Sequence, residues 1–500
     1  MKLYFHPNPL WEPDRYHYAA EQMMLTLFPG EKPEYPEECP NMMTRVGRCA
    51  VFTLSVYDGQ ANVTAQVIHG SKYAAGEHPF DAEGLSGSAE QVYHVLQHAI
   101  KMAFYRAGKN ILGVQPPWGA LTGVRPVKLP TRATKTGKTP DEARSELMAD
   151  YDVTPVRADL AMDCAKASLA VDNSLHPNEV SIYVGVPFCP TRCAYCSFVS
   201  ADVHKTLKLL PPYVEQMLEE IDATAAALKQ AGLSVRSFYM GGGTPTTLSA
   251  EQMDAVLTRC ESVLPLQNCT EYTVEAGRPD TITREKLEVL KRHNIGRISI
   301  NPQTLSDEVL RAIGRCHSSE DIRRAYELAR EVGFDCINMD LIAGLPKDNF
   351  EGFCRSLEGV LEMDPENVTV HTLALKKGSA LMEKGSEIPS GEEVAKMLEY
   401  SLNTLRNKNY LPYYLYRQKY MSGSLENVGW SKPGTESLYN IVMMEELHTV
   451  VSIGGGGVTK LVDAPNARII RLPNPKYPHD YLNMKEKVME QKKEILEFYQ

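Results

Sequence analysis

The sequence predicts an α/β protein whose centre is a parallel sheet with helical crossovers, flanked by a small N-terminal α/β domain and a mixed C-terminal region. Three observations carry that prediction. Six short apolar runs separated by helical segments occupy the stretch from residue 179 to about 375. A strand–turn–strand–helix pattern precedes them, and proline-rich sequence lies between the two regions. Hydrophobic residues at 43% and charged residues at 23% are ordinary globular values, which excludes a disordered or fibrous chain.

In chain order, Ala50, Phe52, Leu54 and Val56 alternate with more polar neighbours, Asp58-Gly59 supplies a tight turn, and Val63, Ala65 and Val67 alternate again. That is a hairpin signature. A helix follows, with Ser88 and Gln91 as a capping box, Val92, Val95, Leu96, Ala99 and Ala103 on one face, and Gly108 as its stop. Gln115-Pro-Pro-Trp-Gly119 through Arg125-Pro126 to Leu129-Pro130 reads as a linker, and residues 140–175 as two short connecting helices. The six apolar runs are Ser181–Val186, Val235–Met240, Tyr272–Ala276, Arg297–Ile300, Ile337–Ile342 and Val368–Leu373. The clearest crossover helix is Pro212–Leu228, with Val214, Leu218, Ile221 and Ala225 at helical spacing and Gly232 beyond its end. Such units imply a parallel sheet, open or curled towards a barrel, with ligands expected at the carboxyl ends of its strands. The tail combines a helix near 391–407, a tyrosine-rich stretch (Tyr410, Tyr413, Tyr414, Tyr416, Tyr420) and a glycine run. The expected domains are 1–112, a linker with connecting helices at 113–178, a core at 179–375, and a substrate-covering region at 376–500.

Length and charge restrict the function. Five hundred residues suggest about three domains of ~150 residues. Lys+Arg total 53 against Asp+Glu 63, and the net charge of −10 argues against a broad grip on nucleic acid or an anionic membrane. No apolar run approaches the ~18 residues of a membrane helix. Met1-Lys-Leu-Tyr-Phe-His-Pro-Asn-Pro loses its apolar character too early for a secretory signal, so a cytoplasmic protein is expected. Eleven cysteines, an odd number, argue against a disulfide framework. Cys39, Cys49, Cys164, Cys260, Cys269, Cys316, Cys336 and Cys354 are scattered and suit small buried holes. Cys189, Cys193 and Cys196 instead fall within eight residues.

Those three lie in Tyr183-Val-Gly-Val-Pro-Phe-Cys189-Pro-Thr-Arg-Cys193-Ala-Tyr-Cys196-Ser-Phe198, directly after the first core strand. Three thiolates at such spacings can wrap a metal. Structural zinc needs a fourth ligand, for which His204 is the nearest candidate, whereas an iron–sulfur cubane on three cysteines leaves one iron open. The second strand runs into Tyr239-Met-Gly241-Gly242-Gly243-Thr244-Pro245-Thr246, where the missing Cβ atoms let the backbone approach a ligand. Glu275 ends the third strand, Gln303 the fourth and Asp340 the fifth, with Arg315 one helix after Gln303. Taken singly, Gln303 and Asp340 read as caps of the following helices, Arg315 as a solvated charge, and the tyrosines as packed interface. Their recurrence in one order at strand ends argues for a site instead.

The C-x3-C-x2-C loop after a first strand, with Tyr195 before its last cysteine, resembles that of the radical S-adenosylmethionine (SAM) enzymes. With the later motifs, roughly residues 180–375 resemble the oxygen-independent coproporphyrinogen III oxidases, also called coproporphyrinogen dehydrogenases. The N-terminal domain, Pro117-Trp-Gly-Ala-Leu-Thr-Gly-Val-Arg-Pro126 and Pro412-Tyr-Tyr-Leu-Tyr-Arg-Gln-Lys419 look like the longer, HemZ-type branch. The resemblance implies a partial (β/α)6 barrel of TIM-like kind, a [4Fe-4S] cluster on Cys189, Cys193 and Cys196, and SAM, with room for a second SAM molecule. By position, Tyr183, Gly242 and Glu275 match contacts to cluster-bound SAM. Tyr195, Gly243, Thr244, Gln303, Arg315, Asp340 and Ala374 match the second SAM site. Gly454–Gly457 resembles a returning C-terminal segment that brings Val458 beside the first SAM, and the catalytic roles fall to Tyr183, Glu275 and Arg315. The implied reaction, in haem biosynthesis, is oxidative decarboxylation of coproporphyrinogen III to protoporphyrinogen IX. A 5′-deoxyadenosyl radical takes hydrogen from the β-carbon of a propionate, and loss of carbon dioxide and one electron leaves a vinyl group, twice over. A tetrapyrrole substrate, an external electron donor and acceptor, and a monomer are implied as partners and state.

The chain departs from that pattern at two positions near the cluster loop. Phe198 stands where the decarboxylating enzymes carry a fourth cysteine, and Gly185 where they carry a histidine, so an acid–base role at 185 is lost or moved. A substrate with four carboxylates needs cations, for which Lys376, Lys377, Arg417 and Lys419 are candidates. Three other readings stand beside the oxidase. One is a haem-binding chaperone of the same superfamily, which shares Phe198 but carries His-Asn-x-x-Tyr-Trp where this chain has Glu426-Asn427-Val428-Gly429-Trp430. The others are a radical SAM enzyme on another tetrapyrrole and a zinc-stabilised binding module.

Overall fold

Asp58 and Gly59 adopt positive φ of 48° and 75°, the backbone that a two-residue hairpin between right-twisted strands requires. In the computed structural model they join β2 (Gly47–Tyr57) to β3 (Gln60–Gly70), with Tyr57 opposite Gln60. β1 (Lys2–Phe5) lies parallel to β2, and β4 (Lys72–Asp81) antiparallel to β3, giving the order β1-β2-β3-β4. Neither outer strand shows in the alternation, because β1 is only four residues long and β4 is interrupted by Gly76 and Pro79. Ala50, Phe52, Leu54, Val63, Ala65 and Val67 form one core with the helices Pro13–Leu27 and Ala89–Leu112.

The second of these helices begins at the expected Ser88–Gln91 capping box, but it does not stop at Gly108. It runs on to Gly113, which takes the left-handed cap conformation. Gly108 is a packing glycine: a Cβ there would come within 2.5 Å of Leu27 Cδ1 on the neighbouring helix. The proline-rich linker contains a helix, Lys128–Lys135, with Pro130 in its first turn, where a missing N–H costs no helical bond. The connecting helices are Pro140–Tyr151 and Pro155–Asp172.

Residues 1–196, 201–374, 381, 387–418, 421–463 and 468–500 are described by the structure. The chain divides into two compact units, Met1–Met162 with Gly423–Leu425, and Asp163–Ser422 with Glu426–Gln500. In the second unit, β5 (Glu179–Val186) is followed by a minimal parallel pair, β6 (Phe188–Cys189) and β7 (Ala201–Asp202). The other predicted runs become β8 (Ser234–Gly242), β9 (Glu271–Gly277), β10 (Arg297–Ile300), β11 (Cys336–Ala343) and β12 (Asn367–Thr372). With β5 they pair in parallel and in chain order, as the alternating pattern predicts. β13 (Leu411–Tyr416) and β14 (Asn427–Ser431) extend the β12 edge in antiparallel fashion. Beside β5 runs a parallel β15 (Val450–Gly454), then antiparallel β16 (Val458–Asp463) and β17 (Arg468–Pro473). Among the described residues the resulting eleven-stranded order runs from β13 to β17 without returning on itself. No described helix is long and apolar enough to cross a membrane.

Part of the tyrosine-rich stretch is β13, where Tyr413 and Tyr414 are buried against Ile441, the packed-interface reading of those rings. The helix Leu438–Glu445 docks at the amino ends of β9 and β10. Glu271 accepts from the main-chain N–H of Leu438 (2.7 Å) and Tyr439 (3.0 Å), a carboxylate placed at a helix N-terminus. Arg297 pairs with Glu271 at 2.9 Å and donates to Thr435 O at 2.7 Å. Docking brings Tyr439 onto Tyr239 (centroids 4.4 Å apart), and Tyr183 stacks beside both.

A buried polar network fastens the C-terminal end of the chain. Glu220, fully buried on the helix Leu210–Gln230, accepts from Lys492 Nζ (2.7 Å), Tyr481 OH (2.6 Å), Asn474 Nδ2 (2.9 Å) and the Gly454 N–H (2.7 Å). Lys492, on the last helix Lys485–Tyr499, also donates to Ser452 O at 2.6 Å. Removing one partner strands a desolvated charge. Lys492→Met is therefore expected to cost about 3–5 kcal/mol, read as a lowered denaturant midpoint in equilibrium unfolding.

Candidate active site

The cysteine loop is held by main-chain bonds from the strand ends around it. Gly243 N–H donates to Val186 O (2.9 Å) and Thr244 N–H to Phe188 O (2.7 Å). This approach requires glycine, since a Cβ on Gly243 would sit 2.5 Å from Phe188 O. Thr244 Oγ1 points at Cys189 Sγ, 3.5 Å away. From the other side the Ala194 N–H donates to Ile313 O (2.9 Å), and Arg315 donates to Tyr195 OH (3.1 Å) and Asn301 O (2.8 Å).

A cavity of about 370 Å³ opens at this point and is lined by Cys189, Cys193 and Cys196. Tyr183, Tyr195, Gly242, Gly243, Thr244, Glu275, Gln303, Arg315, Asp340 and Ala374 line it too. Of the residues assigned to the cluster and SAM, Val458 stands outside the lining, at the start of β16 opposite Pro473. Its neighbour Gly457 is the residue that meets Tyr183, with a notional Cβ 3.0 Å from the ring. Among the described residues no three His, Cys, Asp or Glu side chains form the shell of a single ion; the three thiols share a cavity wall. His204 is exposed on the turn Val203–Thr206 and does not line the cavity. Arg417 is buried beside Glu426, also away from the lining. Phe198, Lys376, Lys377, Lys419 and Tyr420 lie outside the described residues.

Two buried carboxyls face the cavity with opposite tendencies. Burial pushes Glu275 up to about 7, with nearby Asp340 adding to the rise while Tyr239 OH (2.6 Å) and the Gly242 N–H oppose it. Burial acts on Asp340 as well, but there it is outweighed by His371 (3.7 Å), Asn338 Nδ2 (2.8 Å) and Thr369, which hold the carboxyl below its usual range. Asp340 thus stays charged, while Glu275 exchanges its proton near neutrality.

Gln303 adopts φ of +68°, fixed by its N–H to Asp340 O (2.8 Å) and by Ile342 N–H to its own carbonyl (3.0 Å). It caps no helix, because Ser306 performs that task for Asp307–Ala312, and Asp340 lies inside β11. The side-chain oxygens of Gln303 and Asn301 are buried with no hydrogen-bond partner among the described residues. Leaving an acceptor unpaired costs about 1–3 kcal/mol, a cost a ligand's N–H or O–H would remove.

The lining residues that sequence reasoning missed include Arg278, Asn301, His371 and Asn427. His371 sits near the carboxyl end of β12, where the strand-end rule that found Glu275 would have found it. Asn427 lies on antiparallel β14, which no strand–helix alternation announces; its Oδ1 accepts the Thr372 N–H at 2.8 Å.

Gly185 has a steric cause. A Cβ there would come 2.5 Å from Gly455 O, because Gly454 and Gly185 are paired across β15 and β5. Tyr213 OH locks the contact, donating to Gly185 O (2.8 Å) and accepting from the Gly455 N–H (2.6 Å). A histidine cannot occupy 185 without displacing the glycine turn. Gly185→His is expected to destabilise the protein by about 1–3 kcal/mol in thermal or denaturant unfolding, with Gly185→Ala changing stability in the same direction but less.

Comparison with known proteins gives the family. The sequence profile of the radical SAM superfamily matches residues 183–358. The chain is 38% identical over 413 residues, 82% of each chain, to the oxygen-independent coproporphyrinogen-III oxidase-like protein HemZ of Bacillus subtilis. It is 32% identical over 266 residues to the haem chaperone HemW of the same organism, covering 52% of this chain and 66% of that one. The oxygen-independent coproporphyrinogen III oxidase of Helicobacter pylori is 31% identical over 251 residues, 48% of this chain and 52% of that one. Among solved structures, the radical SAM coproporphyrinogen III oxidase HemN of Escherichia coli shares the fold with a TM-score of 0.52 at 23% identity, over 65% of this chain and 73% of that one. The chain therefore belongs to the radical SAM superfamily and, within it, to the HemZ-type family of oxygen-independent coproporphyrinogen-III oxidase-like proteins.

Proposed function

We propose that this protein is a radical SAM oxidoreductase acting on a tetrapyrrole, converting coproporphyrinogen III to protoporphyrinogen IX. The observation that carries the reading is a single cavity. Three cysteines, Tyr183, Glu275 and the two unpaired amide oxygens of Asn301 and Gln303 all face it. The tetrapyrrole itself is suggested by the relative that matches four-fifths of the chain.

The family carries a [4Fe-4S] cluster and SAM, and the residues present fit both. Three thiols leave one cluster position for an external ligand, while buried acceptors and a glycine cradle suit a ligand bearing an ammonium and hydroxyls. When bound, the two cofactors supply one-electron chemistry that removes a hydrogen atom from an unactivated C–H bond. Cys189, Cys193 and Cys196 would hold the cluster. Tyr183, Gly242 and Glu275 would orient the SAM, with ionised Glu275 available to accept from its ammonium group. Burial opposes the charge on Arg315, yet Tyr195 and Cys193 hold it protonated, so it keeps the cysteine loop tied to Asn301. The rings of Tyr183, Tyr239 and Tyr439 form a stacked group that keeps water from one side of Glu275. Each turnover would convert one propionate to a vinyl group with release of carbon dioxide; one hydrogen atom is abstracted and one electron leaves for an external acceptor.

A second reading, a haem-binding chaperone, is favoured by the HemW likeness and by Phe198 after the third cysteine. One anaerobic assay separates the two. Protein reconstituted with iron and sulfide is incubated with reductant, SAM and coproporphyrinogen III, and 5′-deoxyadenosine and tetrapyrroles are followed by chromatography. The expected result is a divinyl product together with deoxyadenosine, both abolished in Cys193→Ala. Deoxyadenosine with an untouched tetrapyrrole would overturn the substrate, and haem titration would then test the chaperone.

Glu275 makes SAM binding depend on pH. Its carboxyl is mostly protonated below about 7 and mostly ionised above it. Affinity of cluster-loaded protein for SAM is expected to rise by up to about 10-fold per pH unit below that value and to level off above it. Glu275→Gln should bind more weakly and show no such rise in equilibrium dialysis.

A further inference from the structure

Arg278, the residue after β9, lines the cavity but has no part in the site derived above. Its side chain is 4% exposed, and its donors divide between two partners. Nε and Nη2 grip both oxygens of Asp280 (3.0 and 2.7 Å), while Nη1 donates to Thr191 at its carbonyl (3.1 Å) and its Oγ1 (2.7 Å). Thr191 is the middle of the Cys189–Cys193 segment, two residues from each cysteine, and its Oγ1 donates in turn to Gly314 O at 3.2 Å. Behind the pair stands His317, 1% exposed in its side chain, with Nδ1 3.4 Å from Asp280. Burial would raise the Asp280 carboxyl, but His317 and Arg278 outweigh it and keep it ionised.

Stability alone does not account for this arrangement, since apolar side chains fill such a space without desolvating two charges. What a forked guanidinium adds is direction: one edge is fixed by a carboxylate so that the remaining nitrogen points at one place. That place is the span between the first two cysteines. A cation held there also favours a nearby group when it takes up negative charge.

We infer that Arg278 is a positioning residue for the iron–sulfur cluster, fixing the Cys189–Cys193 span through Thr191 and setting a positive charge beside it that favours the reduced cluster. The inference rests on the radical SAM site and not on the tetrapyrrole substrate, so its test uses no tetrapyrrole. Arg278→Lys keeps a cation and loses the fork; Arg278→Met loses both; Asp280→Asn loosens the guanidinium from behind. Each full-length variant is reconstituted anaerobically with limiting iron and sulfide. Bound iron and acid-labile sulfide are measured, and the cluster's reduction potential is followed by electron paramagnetic resonance. All three variants should hold the cluster about 10-fold less tightly, as loss of an outer-shell partner does at other metal sites. Arg278→Met should shift the potential to more negative values, with Arg278→Lys restoring it, whereas Asp280→Asn, which removes the carboxylate opposing that charge, should shift it to more positive values. Full loading in Arg278→Lys and Asp280→Asn overturns the positioning role. An unmoved potential in Arg278→Met overturns the charge effect, and if that variant fails to fold, Arg278→Gln takes its place in the same titration.

Discussion

The contact of main chain on main chain between Gly185 and Gly455 constrains everything built above it. Because neither β5 nor β15 presents a side chain at that point, the two strands stay in register to Gly185 and Gly454, and the glycine turn folds back against Tyr183. The turn is not self-supporting. Glu220 accepts the Gly454 N–H, Tyr213 OH accepts that of Gly455, and the last helix of the chain provides Lys492 to neutralise Glu220. A residue near position 490 thus helps to set the wall of a cavity whose first cysteine is at 189. The loss of an acid–base group at 185 follows from the same contact.

Desolvation is the second organising constraint. The carboxyls and guanidiniums around the cavity are largely withdrawn from water, so the charge state of each depends on how well its neighbours replace it. Asp340 has His371, Asn338 and Thr369 and stays ionised, whereas Glu275 has a phenol, one amide N–H and another carboxyl nearby and is poised near 7. The two guanidiniums that line the cavity spend donors on the protein itself, Arg315 on Asn301 and Tyr195, Arg278 on Thr191 and Asp280. These cations brace the cysteine loop.

Much of this was legible in the sequence because the parallel strands are buried on both faces, and their apolar runs end within about two residues of the observed strands. Glu275 and Asp340 stood out at strand ends, Tyr183 through the family resemblance, and all three line the cavity. Gly108 was misread because its role is steric: the sequence marks a glycine, and only the neighbouring Leu27 tells a packing site from a stop. β15 to β17 were not legible at all. Their pairing beside β5 joins residues some 270 positions apart, and neither propensity nor alternation records a contact at that range.

His371 bears on the choice between tetrapyrrole chemistry and haem carriage. An axial ligand to haem iron needs an imidazole nitrogen with a free lone pair. His371 is the histidine that lines the cavity among the described residues; its Nε2 faces Asp340 at 3.7 Å and its Nδ1 faces Tyr416 OH at 3.5 Å. Each ring nitrogen therefore faces a protein group, the Asp340 carboxylate on one side and the Tyr416 phenol on the other. Both nitrogens are then engaged. Iron could take neither without breaking an interaction that also holds Asp340 charged, and Asp340 in turn anchors Gln303 through the backbone. Binding iron there would therefore disturb the Gln303 wall, whereas a substrate that only hydrogen-bonds to the cavity leaves it intact. On that physical ground His371 serves to hold Asp340 and the Gln303 wall in place, and is poorly placed to ligate a metal.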